Sequence, residues 1–155
     1  ARSFHGVLLN YSKPEMIKWA IAEAGLRADD RVKIGIYSPS YVYVKPQPDV
    51  LLLAKVSSAA VATGASTAVL RKFGLYERLR NARKMAEASV TLESVLDAIP
   101  DQVVRDFSIT MSAGDLPLYL AEVERLKVDH VVFAYPQNYS VETMKELKEA
   151  LDLRS

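Results

Sequence analysis

The residues best placed to do chemistry stand near the start of the chain. Val7-Leu8-Leu9-Asn10 is a strand-like run, and Ser12-Lys13-Pro14-Glu15 follows it as a helix start. A strand end feeding a helix N-terminus presents unpaired N–H groups and the positive end of the helix dipole, which is the chemistry of anion binding. Leu9, Asn10 and Ser12 are the candidate binding residues on this ground. The same pattern also describes a plain βα turn: Ser12 caps the free amides, Glu15 reaches back, and Pro14 sits where its missing N–H costs nothing.

Other groups are weaker. Gly64-Ala65-Ser66 can meet an anion, but a helix break with a cap explains it fully. Tyr135-Pro136-Gln137-Asn138 ends a strand, on the rim where barrel enzymes keep their chemistry and where a Tyr or Asn could touch substrate or cofactor, but a plain strand-terminating turn outweighs that reading. Tyr37, Tyr41 and Tyr43 alternate and so project to one face, as a ring-binding wall or as cross-strand packing. Arg71, Lys72, Arg78, Arg80, Arg83 and Lys84 form a basic stretch. Glu77 and Glu87 are interspersed and no aromatic platform interleaves, so a solvated helix face outweighs nucleic-acid binding.

Composition narrows the classes. The 155 residues are half hydrophobic and a quarter charged, which is globular composition, and the net charge of +1 draws in neither nucleic acid nor an anionic membrane. With no cysteine there is no disulfide, thiolate metal site or cysteine nucleophile. His5 and His130 are too far apart in sequence to suggest a metal centre, and no metal ligand set is expected. The longest apolar run, Val50 to Ala54, cannot span a membrane, and no signal peptide is evident; the expectation is a cytoplasmic protein. No nucleotide-binding or hydrolase motif appears, nor an acid–base pair that would name a catalytic residue.

The elements that must position these residues alternate. The first helix carries Ile17, Ala20, Ile21 and Ala24 at core spacing, with Met16 and Trp19 as packing residues, and Gly25 ends it. A polar loop, Arg27 to Arg31, leads to a strand over Val32–Tyr37 that Ser38-Pro39-Ser40 interrupts and Tyr41–Val44 extends or restarts. Helices follow over about Val50–Ala62, Thr67–Phe73, Leu75–Glu87, Leu92–Ala98 and Gln102–Asp106. The strand rhythm returns at Phe107–Met111, then a helix over Leu116–Leu126, the strand His130–Tyr135, and a helix from Val141 that Ser140 caps.

Short loops between alternating strands and helices imply right-handed crossovers and a parallel sheet. Three strong strands cannot close a barrel, and an open sheet this narrow leaves apolar edges. A buried strand so soon after Ala1 also belongs inside a sheet, so polypeptide before residue 1 is expected.

These motifs, in their order, resemble luciferase-like flavin and deazaflavin oxidoreductases. Phe4-His5-Gly6-Val7-Leu8-Leu9-Asn10 with Ser12-Lys13-Pro14-Glu15 looks like their sixth strand, with His5 where an aspartate is usual; Val32–Val44 resembles the seventh. Ala62-Thr63-Gly64-Ala65-Ser66 with Val69–Gly74 is similar to the helical insertion of the methylene-tetrahydromethanopterin reductase branch, and Val128–Pro136 to the eighth strand.

The resemblance implies an α/β fold: parallel βα units forming the C-terminal part of a TIM (β/α)8 barrel. Residues 1–155 would be one half-barrel domain, with a helical insertion over 50–106. It implies coenzyme F-420 or FMN as cofactor, its phosphate held by backbone amides at Leu9, Asn10 and Ser12, and hydride transfer to or from a small substrate such as methylene-tetrahydromethanopterin. The first five strands and most substrate contacts lie outside such a segment. The partners implied are cofactor and substrate, with a homo-oligomer such as a dimer, or the missing N-terminal half, completing the fold. The alternative is a non-catalytic truncated barrel domain acting through self-association or a partner.

Overall fold

The computed structural model describes residues 5–26, 32–88 and 91–152. Phe4 and the loop Arg27 to Arg31 lie outside the described residues. The element order is β1 (Gly6–Leu9), α1 (Pro14–Glu23), β2 (Lys33–Tyr43), then α2 (Pro48–Gly64), α3 (Thr67–Lys72), α4 (Tyr76–Glu87), α5 (Leu92–Asp97) and α6 (Asp101–Asp106). It continues with β3 (Ile109–Ser112), α7 (Leu116–Arg125), β4 (His130–Ala134) and α8 (Val141–Asp152). The fold is mixed α/β, and every strand pairing is parallel.

Helix ends follow local chemistry. Gly25 adopts φ 65°, a left-handed conformation that favours glycine; its N–H donates to the Ala22 carbonyl and that of Leu26 to the Ile21 carbonyl, closing α1. Gly74 closes α3 in the same way, at φ 66°. Ser66, Thr91 and Ser140 accept from the N–H of Val69, Ser94 and Thr143, so these caps form as the sequence predicts.

The long strand β2 differs from expectation, since it runs unbroken through Ser38-Pro39-Ser40. The register explains how a proline is tolerated. The Lys33 N–H donates toward β1, to the His5 carbonyl, and the Ile34 N–H donates toward β4, to Asp129. Alternation therefore aims position 39 at the β1 side, where β1 pairing stops at Ile36 and β3 pairing starts at Ser40. The Tyr43 carbonyl accepts from Ala113 on that same side, which keeps the parity. Pro39, which has no N–H to give, sits where no described strand pairs on that side.

The pairing rows assign faces. Leu8, Gly35 and His130 share a row, as do Tyr37 with Val132 and Pro39 with Ala134, all on one face. The opposite face carries Leu9, Ile36, Val131 and Val42, packed under Ile17 of α1, Leu120 and Val123 of α7, and Leu147 and Ala150 of α8. Another core joins α2 to α6 with Met16 of α1, around Leu70, Leu79, Ile99 and Phe107. On the first face, α2 covers Tyr41 with Val50 and Ala54. Further down that face the described residues leave apolar side chains open: Leu8 is 65% exposed, Tyr37 48% and Val132 40%. No helix among the described residues is long and apolar enough to cross a membrane.

Candidate functional site

The end of β1 is fixed more tightly than a plain turn. Ser12 is buried, and its hydroxyl donates to the Asp106 carbonyl at 3.0 Å. Its own carbonyl accepts from the Tyr119 hydroxyl at 2.9 Å. Burial pushes the Tyr119 phenol well above its usual range, so it stays protonated and remains a donor. Asp106 also accepts from the Gln102 amide at 3.0 Å and lies 3.5 Å from the Lys13 ammonium. One loop is thereby tied to α6 and α7.

This arrangement overturns the expected cap. Helix α1 begins after Lys13, without a side-chain hydrogen bond at its N-cap, because the Ser12 hydroxyl is already spent on Asp106. Leu9 points to the helix-covered face, against Ile17 and Ile36. Asn10 is exposed where the strand ends. Of the three candidates, it alone is exposed; Leu9 is half-buried and Ser12 buried.

Two groups that the sequence keeps apart do meet. Asn10 and Tyr11 face Ala60, Val61 and Gly64 to Ser66 across a cleft of about 320 Å³. A Cβ added to Gly64 would touch nothing within 4 Å, so the floor is open there. The Ser66 hydroxyl caps α3, which occupies one of its lone pairs.

The loop after β4 has a role that sequence reasoning missed. The Gln137 side chain is fully buried, accepts from the Val42 N–H at 2.6 Å, and donates to the Val42 carbonyl at 3.4 Å and the Thr143 carbonyl at 2.6 Å. It continues the β4 ladder with a side-chain amide where the backbone has turned away. A polar residue in a turn carries no signal of this. Tyr135 and Tyr139 remain exposed beside it, edge to face at 6.5 Å between ring centroids.

The remaining candidates separate. Tyr37, Tyr41 and Tyr43 do share a face, but Tyr41 is buried with its oxygen accepting from the Gln47 N–H, whereas Tyr37 is open. Arg80 pairs with Glu77 at 3.3 Å, and Arg71 lies over the Tyr76 ring at 5.0 Å. Glu77, Arg80 and Lys84 are all exposed on α4, a solvated face of mixed charge on which Arg80 is already paired, rather than a phosphate track. Among the described residues no cluster of three or more His, Cys, Asp or Glu side chains could hold a metal ion.

No protein-family model matches the sequence, and no curated protein matches it. In fold the chain is similar to the coenzyme F-420-dependent tetrahydromethanopterin reductase from Methanopyrus kandleri, with a TM-score of 0.70 and 20% identity. The match covers 93% of this chain and 42% of that one, so the chain spans less than half the reductase's length. At this identity the likeness is one of fold.

Proposed function

We propose that the chain is the C-terminal part of a deazaflavin- or flavin-dependent oxidoreductase of the luciferase-like type, working in the cytoplasm. The fold likeness to an F-420-dependent reductase carries the reading. Bound F-420 or FMN would supply hydride transfer to or from a small organic substrate such as methylene-tetrahydromethanopterin. This chain's residues fit one share of the task, anchorage of a phosphate. Asn10 offers an exposed amide, the first turn of α1 offers the Glu15 N–H (Pro14 has none, and that of Met16 donates to the Lys13 carbonyl), and the ties from Ser12 to Asp106 and Tyr119 keep the loop from moving. On this reading residues 1–155 form one half-barrel domain, 50–106 are its helical insertion, and the ring-binding residues belong to the remaining barrel. The isolated chain is then inactive.

The test is titration of the chain with F-420, followed by quenching of the cofactor's fluorescence. Weak, saturable quenching is expected in the submillimolar range, competed by inorganic phosphate and reduced several-fold by Asn10→Asp, which sets a negative charge against the phosphate. No binding there, with a dimer in sedimentation, favours the second reading: a non-catalytic barrel domain acting through self-association or a partner. The bare sheet face is the observation behind that alternative.

A further inference from the structure

We infer that the cleft between α2 and α6, over the ends of β2 and β3, is a binding site for a small apolar carboxylate, whose charge sits between Lys55 and Arg105. This goes beyond the cofactor reading, whose cleft flanks the other end of α2, at Ala60 to Gly64. The cleft measures about 420 Å³, within the range of small-molecule sites. Tyr43 and Thr110 line it from the sheet, on the face that α2 covers, since Thr110 shares a row with Tyr41. The carboxyl ends of parallel strands are where α/β sheets and barrels alike hold their ligands. Leu51, Leu52, Ala54 and Val104 supply the apolar walls, and Leu52 is left 55% exposed.

The charges select the ligand. Lys55 is recessed, with 30% of its side chain exposed, whereas its partner Asp101 at 3.4 Å stands outside at 77%. A pair with one member so exposed is weak, and a carboxylate that reaches Lys55 from within the cleft displaces it. Arg105 is held by a relay within α6. The Asp106 carboxylate accepts from Gln102 Nε2, and Gln102 Oε1 accepts from Arg105 at 3.1 Å, a bond that uses one of the five guanidinium donors. Two cations thus face one acid. A neighbouring cleft of the same size shares Leu52 and Lys55, but Glu93 and Asp97 line it beside Leu92 and Leu96. One cation facing two acids repels a carboxylate there, so of these two apolar clefts the first has the field for it.

The test is titration of the 155-residue chain with 2-naphthoate, followed by the probe's fluorescence, beside the neutral 2-naphthylmethanol. Naphthoate is expected to bind with a dissociation constant of about 0.1–1 mM, and the alcohol about tenfold more weakly. Lys55→Gln and Arg105→Gln should each weaken naphthoate by about three- to tenfold, and Arg80→Gln, in an exposed pair elsewhere, should not. Asp101→Asn should tighten it by about threefold, because it frees Lys55. No saturation below about 10 mM, an alcohol that binds as well as the acid, or an Asp101→Asn chain that binds more weakly overturns the inference. So does Leu92→Ser weakening naphthoate while Arg105→Gln leaves it unchanged, which assigns the probe to the neighbouring cleft. If Lys55→Gln fails to fold by circular dichroism, Arg105→Gln and Asp101→Asn, both at exposed positions, decide alone.

Discussion

The two halves of β2 are one continuous strand in two different environments. From Ser40 to Tyr43 it pairs with β3, and both faces are closed: Val42 lies under α7 and α8, Tyr41 under α2. From Lys33 to Pro39 it pairs with β1 and β4, closed on the Ile36 face, whereas on the other face Tyr37 stands open between the buried Gly35 and Pro39. The sequence is comparably apolar in both halves. What differs is that a helix from the β2–β3 connection folds back over one half, while among the described residues the other leaves Tyr37 open. Burial here is set by topology as much as by residue type.

Two tyrosines four residues apart on the same face test that contrast most sharply. Tyr41→Ala should destabilise the chain by about 3–5 kcal/mol, the usual cost of removing a large buried aromatic side chain. Tyr37→Ala should cost less than about 1 kcal/mol, since its ring is already half in water. Urea unfolding of both variants measures the difference, and similar costs would mean that the two halves are not distinct.

Gln137 holds the β4 side of the closed half. Gln137→Ala leaves the Val42 N–H and carbonyl and the Thr143 carbonyl buried without this partner, a loss of about 2–3 kcal/mol. Amide exchange at Val42 should accelerate well beyond that at Ile36 on the open half. Uniform acceleration along β2 would instead make the loop a general staple of the sheet.

The legible parts of this fold were those written in local chemistry. The Gly25 and Gly74 stops and the Ser66, Thr91 and Ser140 caps depend on residues within a turn of each other, so spacing reveals them. Pro39 misled because its tolerance depends on two strands that pair with β2 on either side of it, from positions about 30 residues before and 70 after. The candidate site divides the same way. Asn10 at a strand end is readable, but the Ser12 hydroxyl is claimed by a carbonyl 94 residues away, and Gln137 reaches 95 residues back to Val42. Long-range polar ties leave no periodic trace.

Glycines probe the same contrast at lower amplitude. A Cβ on Gly35 would come within 2.6 Å of a Leu8 methyl, a contact the leucine can relieve by swinging into open solvent. Gly35→Ala should therefore fall within about 0.5 kcal/mol of the parent. A Cβ on Gly6 would meet the Lys33 backbone oxygen at 2.9 Å, which cannot swing away, and Gly6→Ala should cost about 1 kcal/mol. A large penalty at Gly35 would mean that Leu8 is pinned, and the face less open than its exposure indicates.

The smallest effect lies at the N-terminal rim of the open half. The Ile34 N–H donates to Asp129 at 2.8 Å and the Lys33 ammonium at 3.0 Å; the backbone donor first, then the lysine, hold this carboxyl below its usual range. A carboxyl whose pKa is depressed on folding adds stability above its unfolded value, near 3.9, and that contribution is lost as pH falls through the folded value. The parent should therefore lose stability on acidification below about pH 4 more steeply than Asp129→Asn, which keeps an acceptor for Ile34 but cannot titrate. Added salt should weaken only the share that comes from Lys33, because the backbone donor carries no net charge to screen. Amide exchange at Ile34 that rises on acidification while that at Val42 holds would confine the loss to the open half; parallel acid limbs in parent and variant would show that Asp129 contributes nothing there.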